Sequence, residues 1–227
     1  MATERIRPPR GLDTTPVALA PEALVARLAA DCDALRQIVA GLDRLEQLVD
    51  QTPVLVDALR RGYFTPDEDD RVRQALLAYR NYRLGAYEII FRHRNYAQIA
   101  DEGLRLKCFL VGFAAALLLY AKSLKIIQVV EHAPLLRAKL NEPDAKFDLE
   151  AGFFDDVLVG YSSLANYRAL TRADRFWRLQ RKSPVFRAAD ADPDWHWLCQ
   201  IIRHKRAVVR KRLFDVLRRR LRYDWRA

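Results

Sequence analysis

The sequence predicts an all-α protein, a bundle of about five long antiparallel helices with one short helix. Apolar residues recur at steps of three or four along most of the chain, which places them on one side of a helix. Glycine is scarce, at 8 of 227 residues, and no segment shows the strict alternation of a half-buried strand. Hydrophobic residues make up 51% of the chain, so it is able to bury a sizeable core.

The first long helix is predicted to begin at Pro21 and to end near Gln51. Its apolar positions follow at steps of three or four residues: Leu24, Leu28, Cys32, Leu35, Ile38, Leu42, Leu45 and Leu48. Residues 1–20 carry charges and prolines without this periodicity. We therefore expect residues 1–20 to be a flexible tail and residues 21–227 to form a single helical domain.

Capping signals mark the next two helices. Thr52-Pro53 places a capping residue before a proline, which predicts a short helix that stops at Gly62. Thr65-Pro66 repeats this arrangement, and Glu68 at the third helical position completes a capping box. A long helix is predicted to follow, as far as about Arg94.

Three further long helices are predicted over Ala97–His132, Leu149–Leu179 and Pro193–Tyr223. We expect a break near Asn95, and residues 180–192 are predicted to form a polar linker before the Asp192-Pro193 cap.

Within the predicted helix Ala97–His132, Cys108 to Ala121 form a run of 14 uncharged residues. Such a run spans about 21 Å, whereas a bilayer core needs about 30 Å. It therefore indicates a central buried helix, with a membrane span as the alternative.

Positive charge is concentrated at the end of the chain. Residues 1–167 carry 21 basic and 23 acidic side chains, residues 168–202 carry 7 and 4, and residues 203–227 carry 11 and 2. The terminal helix combines an apolar stripe with basic residues that we predict to contact a polyanion or a partner: Arg203, Arg206, Arg210, Arg218 and Arg222. The alternative is a core helix whose basic side pairs with acidic residues elsewhere in the fold.

No pattern in the sequence predicts a catalytic residue, a metal site or a cofactor. Cys32, Cys108 and Cys199 lie far apart, which suits a reducing, cytoplasmic compartment. No Glu-x-x-His pair of the di-iron type is present. Cys199 and His204 would point about 140° apart on a helix, which argues against a shared zinc site. No catalytic motif therefore supports an enzyme. A non-enzymatic role is the expectation, and an enzyme is kept as an alternative.

Tyr79, Arg83 and Tyr87 share one side of the third predicted helix. They predict a polar groove or a partner surface. The alternative is that they are amphipathic side chains with buried stems and solvated tips.

The stretch Arg61-Gly62-Tyr63-Phe64-Thr65-Pro66-Asp67-Glu68-Asp69-Asp70, followed by Tyr79 and Tyr82, carries a resemblance to a known family. It resembles the helical region ahead of the catalytic domain in bacterial permuted papain-like (NlpC-type) cysteine hydrolases, over residues 60–130. The resemblance implies a bacterial, accessory helical module without the hydrolase domain, and it transfers no site residue.

These observations together predict a non-enzymatic helical interaction module whose contact surface is the basic C-terminal helix. The alternatives are a protein that binds nucleic acid or another polyanion, and a peripheral membrane protein. We expect a protein partner or self-association, with nucleic acid and anionic membrane as the other candidate partners. No small-molecule substrate is identified. The expected location is the cytoplasm, with membrane association as the alternative.

Overall fold

The computed structural model describes residues 20–50, 57, 58, 60–131, 164–189 and 192–224. Within these ranges the chain is all-α and contains no strand, which confirms the predicted fold class. The long helices are α1 (Pro21–Asp50), α2 (Pro66–Arg92), α3 (Glu102–Glu131), α4 (Leu164–Gln180) and α6 (Pro193–Asp224). A 3₁₀ helix, His93–Gln98, follows α2, and a short helix, α5 (Pro184–Ala188), precedes α6. The predicted tail lies outside the described residues, except for Ala20.

Two predicted helix starts are confirmed at the level of single hydrogen bonds. The backbone N–H of Thr65 donates to Glu68 Oε2 over 2.8 Å, and the N–H of Glu68 donates to Thr65 Oγ1 over 3.4 Å, so the capping box forms at the start of α2. Gly62 ends the preceding turn with φ +81°, a conformation that favours glycine. At the start of α6, Asp192 Oδ1 accepts hydrogen bonds from the backbone amides of Asp194 and Trp195.

Two predicted boundaries are wrong, and in both cases a side-chain cap is the reason. Helix α3 begins at Glu102 rather than Ala97, because Asp101 Oδ1 accepts the Leu104 N–H over 2.7 Å. The predicted polar linker contains α5, because Ser183 Oγ accepts the Phe186 N–H over 3.2 Å ahead of a proline. The predicted stretch 149–163 and the start of the predicted helix at Thr52-Pro53 lie outside the described residues.

Helix α3 is the centre of the core. It packs against α1, α2, α5, α6 and the 3₁₀ helix, and the run from Cys108 to Ala121 is buried on nearly all sides. By length and composition, Glu102–Ala121 is able to cross a membrane, with a mean hydropathy of 1.8. However, 67% of this stretch is buried among the other helices. The prediction of a central buried helix is therefore confirmed.

Two pairs of neighbouring helices, α1 with α2 and α4 with α6, run antiparallel. Ile38 of α1 lies beside Gly85, whereas Asp31, further back along α1, binds His93 beyond the end of α2. In the same way, Trp177 of α4 contacts Arg206 of α6, and Asp174, one turn earlier, also reaches Arg210. The antiparallel pairing of α4 and α6 places their outward sides next to each other.

Candidate interaction surface

Asp174 is a buried carboxylate that joins α4 to α6. Its Oδ1 accepts a hydrogen bond from Arg206 Nη1 over 2.7 Å, and its Oδ2 lies 3.4 Å from Arg210 Nη1. Arg178, one turn further along α4, adds a contact of 3.3 Å from Nε to Oδ2. Because the carboxylate is only 6% exposed, these guanidinium groups provide the compensation that a buried charge requires.

Trp177 lies beside this carboxylate and packs α4 into the core. Its side chain is 1% exposed, and the guanidinium groups of Arg206 and Arg181 stack over the indole at 4.8 and 5.4 Å from the ring centroid. One position before Trp177, Phe176 meets Phe109 of α3 edge to face, with ring centroids 4.7 Å apart. These contacts fix which side of α4 points toward solvent.

The outward sides of α4 and α6 carry exposed cations that have no ion-pair partner among the described side chains. Arg168, Arg172 and Arg175 are exposed on α4 at steps of four and three residues, so they form one stripe. On α6 the corresponding exposed residues are Arg203, Lys211 and Arg218. None of these six forms an ion pair with any residue whose side chain the structure describes. We call these six residues the basic face.

The residues predicted to contact a polyanion or partner occupy three kinds of position. Arg203 and Arg218 belong to the basic face. Arg210 is exposed but also contacts Asp174, and Arg206 is half-buried against that carboxylate. The side chain of Arg222 lies outside the described part of the chain. A contact role for all five of these arginines stays a prediction.

The stripe on α4 was missed by the sequence analysis. The spacing of Arg168, Arg172 and Arg175 indicates the stripe, but acidic residues later in the segment 168–202 lower the net charge counted over that segment. Two of these, Asp192 and Asp194, lie at the start of α6 and bind cations of other helices there. Neither of these two carboxylates pairs with an arginine of α4 whose side chain the structure describes.

The predicted polar groove is only partly within the described side chains. Tyr87 is half-buried and stacks on Phe91, with ring centroids 6.2 Å apart. The side chains of Tyr79 and Arg83 lie outside the described part, so a groove on this helix stays a prediction.

A second buried carboxylate lies where α1 meets the end of α2. Asp31 is 2% exposed and accepts a hydrogen bond from His93 Nε2 over 2.7 Å, and its Oδ1 lies 3.1 Å from Arg92 Nη1. Since a carboxylate only accepts, Nε2 carries the hydrogen of this bond. His93 Nδ1 is buried without a hydrogen-bond partner among the described residues. Asp31 and His93 are buried and join α1 to the end of α2, which points to a structural role, and the half-exposed Arg27 lies 3.7 Å from Asp31 Oδ1 at the edge of the network.

The cysteine thiols are also closed to solvent. Burial raises the pKa of both Cys32 and Cys108 to about 12, with the nearby carboxylates of Asp194 and Asp31 adding to the respective shifts. Cys199 is buried as well. Because the thiolate is the reactive form, thiols with such pKa values are poor nucleophiles at neutral pH. Within the described residues, no group of three or more His, Cys, Asp or Glu side chains is placed to hold a metal ion.

A third ionic cluster ties α1 and α3 to the start of α6. Lys107 Nζ lies 2.6 Å from Asp192 Oδ2 and 3.6 Å from Asp194 Oδ2, and Arg36 of α1 also binds Asp194. Partial burial alone raises the pKa of Asp192, but hydrogen bonds from Lys107 and the α6 amides produce a net lowering. Burial likewise lowers the pKa of Lys107, yet its bond to Asp192 makes the net shift upward.

These shifts predict how the stability of the fold depends on pH. Asp192 contributes stability above its ordinary pKa of 3.8, and this contribution is lost as the pH falls below that value. Lys107 contributes below its ordinary pKa of 10.5, and its contribution is lost as the pH rises above it. We expect Asp192→Asn to flatten the fall in unfolding free energy below pH 3.8, as measured by urea denaturation at several pH values. An unchanged acid limb would contradict the assignment.

The described surface thus offers one extended charged feature, the basic face of α4 and α6, while its other ionic clusters join helices to one another. Asp31 pairs with Arg92, Asp174 pairs with Arg206, and Lys107 pairs with Asp192 at the start of α6. Comparison of the chain with known protein families, with characterised proteins and with solved structures finds no match.

Proposed function

We propose that this protein is a non-enzymatic helical interaction module that contacts an anionic partner through the basic face of α4 and α6. The observation that carries this proposal is that the six cations of that face form no ion pair with any side chain that the structure describes. An exposed cation without a carboxylate partner keeps its electrostatic field available to attract an anionic partner.

The two halves of the chain differ in how many of their described cations form ion pairs. In the part that contains α1 to α3, most described cations lie within ion-pair distance of a carboxylate: Arg27, Arg36, Arg60, Arg61, Arg92 and Lys107. In the part that contains α4 to α6, only Arg178, Arg206 and Arg210 do so among the described side chains. Among the described side chains, the cations without an ion-pair partner therefore lie mainly on α4 to α6.

The buried thiols support an interaction role over a catalytic one. A nucleophilic cysteine needs a lowered pKa and access to substrate, and Cys32 and Cys108 have neither. An accessory role beside a papain-like hydrolase domain, which the resemblance over residues 60–130 implies, fits the same proposal and stays a prediction.

A polyanion-binding measurement tests the proposal. We expect the full chain to bind heparin, used as a generic polyanion, with an affinity that falls as salt rises. The triple variant Arg203→Gln, Lys211→Gln, Arg218→Gln should bind at least about tenfold more weakly, because it removes three unpaired cations from one side of α6.

The matched control removes the same amount of charge from the other half of the chain. It replaces three exposed cations there by glutamine: Arg60, Arg71 and Arg94. We expect this variant to bind heparin as the wild type does. Equal losses in the two triple variants would mean that binding follows net charge alone, and the proposal would then be wrong.

A further inference from the structure

The basic face also carries large apolar side chains in solvent. Leu179 of α4 is 62% exposed, and Phe214 of α6 is 50% exposed. Val208, on the adjoining side of α6, is 44% exposed. Elsewhere in the described residues, only Val25 and Tyr63 are large, apolar and similarly exposed. Three of the five large apolar side chains that are exposed among the described residues therefore lie on α4 and α6.

The positions of these residues place them within the basic face. Leu179 follows Arg175 by four residues, so it continues the stripe of α4 arginines. Phe214 precedes Arg218 by four residues and follows Lys211 by three, so it lies among the cations of α6. Since α4 and α6 are antiparallel neighbours, both side chains face the same partner as the cations around them.

A surface of this composition matches an anionic lipid bilayer. Lipid phosphates and anionic headgroups attract arginine and lysine, and the boundary below the headgroups accepts leucine and phenylalanine. A nucleic acid satisfies the cations equally well, but its bases stack on aromatic rings and leave exposed aliphatic side chains such as Leu179 and Val208 without a partner.

We infer that the basic face docks onto an anionic membrane surface, with Leu179 and Phe214 inserted at the level of the headgroups. This inference rests on the function proposed above and names the partner. Helix α3 takes no part in the docking, because it stays buried between α1, α2 and α6. The protein then lies on the bilayer and does not span it.

Co-sedimentation of the full chain with vesicles tests the inference. We expect binding to vesicles that contain phosphatidylglycerol and none to vesicles of phosphatidylcholine alone. The double variant Leu179→Ser, Phe214→Ser should bind the anionic vesicles about tenfold more weakly and should bind heparin as the wild type does. The control is Val25→Ser, Tyr63→Ser, which removes two equally exposed apolar groups from the other half and should leave both kinds of binding unchanged.

The outcomes separate this inference from the proposal on which it rests. Heparin binding without binding to anionic vesicles would overturn the membrane inference and leave the interaction module standing, with duplex RNA or DNA as the next probes. Wild-type vesicle binding by the Leu179/Phe214 variant would also overturn the inference. Failure to bind either heparin or anionic vesicles would overturn both.

Discussion

Replacing Asp31 by asparagine is expected to lower the free energy of unfolding by about 3–5 kcal/mol. Asparagine has nearly the shape of aspartate, so the change removes the charge and leaves the packing in place. The guanidinium of Arg92 is only 10% exposed, and after the substitution it has no full counter-charge at Asp31. Its other ion-pair partner, Glu88, lies 3.4 Å away, measured from Oε2 to Arg92 Nη2, and offsets only part of the desolvation penalty of this buried charge. Urea denaturation followed by circular dichroism measures the change.

Asp33 provides the control two residues along the same helix. It pairs with Arg36 at 2.8 Å, but its side chain is 70% exposed. Because exposed ion pairs contribute little, Asp33→Asn should change the free energy of unfolding by less than about 1 kcal/mol. If the Asp31 variant were no less stable than the Asp33 variant, the buried network would have no structural role.

Replacing Trp177 by alanine is expected to lower the free energy of unfolding by about 3–5 kcal/mol. The indole fills the contact between α4, α6 and the core, and its loss leaves a cavity as well as lost apolar burial. It also removes the surface on which Arg206 stacks. Since Arg206 also binds Asp174, the contacts that set the register between α4 and α6 should weaken too. The affinity of the variant for heparin should therefore fall.

Leu179→Ala is the matched control for Trp177→Ala, again two residues away on one helix. Leu179 is exposed, so its truncation should change the free energy of unfolding by less than about 0.5 kcal/mol. Thermal or urea denaturation of the two variants gives the comparison directly. A similar stability for both variants would mean that α4 does not pack on the core through Trp177.

Much of the fold could be predicted from the sequence because the responsible signals are local. The cap at Thr65 and the cap at Asp192 each lie within four residues of the amides that they bind. The uncharged run from Cys108 to Ala121 predicts its own burial, since no face of that helix is suited to water. The prediction failed at Asp101 and at Ser183. Each of these residues caps the start of a helix, but Asp101 lay within a predicted helix and Ser183 lay within a predicted linker.

The candidate surface was harder to predict from the sequence because the residues that form each ion pair are distant from one another in the chain. Asp174 and Arg206 are 32 residues apart, and Asp31 and His93 are 62 residues apart. No periodicity links such pairs, so the sequence does not show which arginines are neutralised. No periodicity links the arginines of α4 to those of α6 either. They belong to one basic face only because α4 packs antiparallel to α6.

The most direct test of the central claim is the salt dependence of heparin binding by a variant of α4 alone, in which Arg168, Arg172 and Arg175 are replaced by glutamine. If α4 and α6 form one face, this variant should bind at least about tenfold more weakly, and the slope of log affinity against log salt should become shallower by about 2–3. Wild-type affinity with a wild-type slope would show that α4 is no part of the contact surface and would contradict the claim.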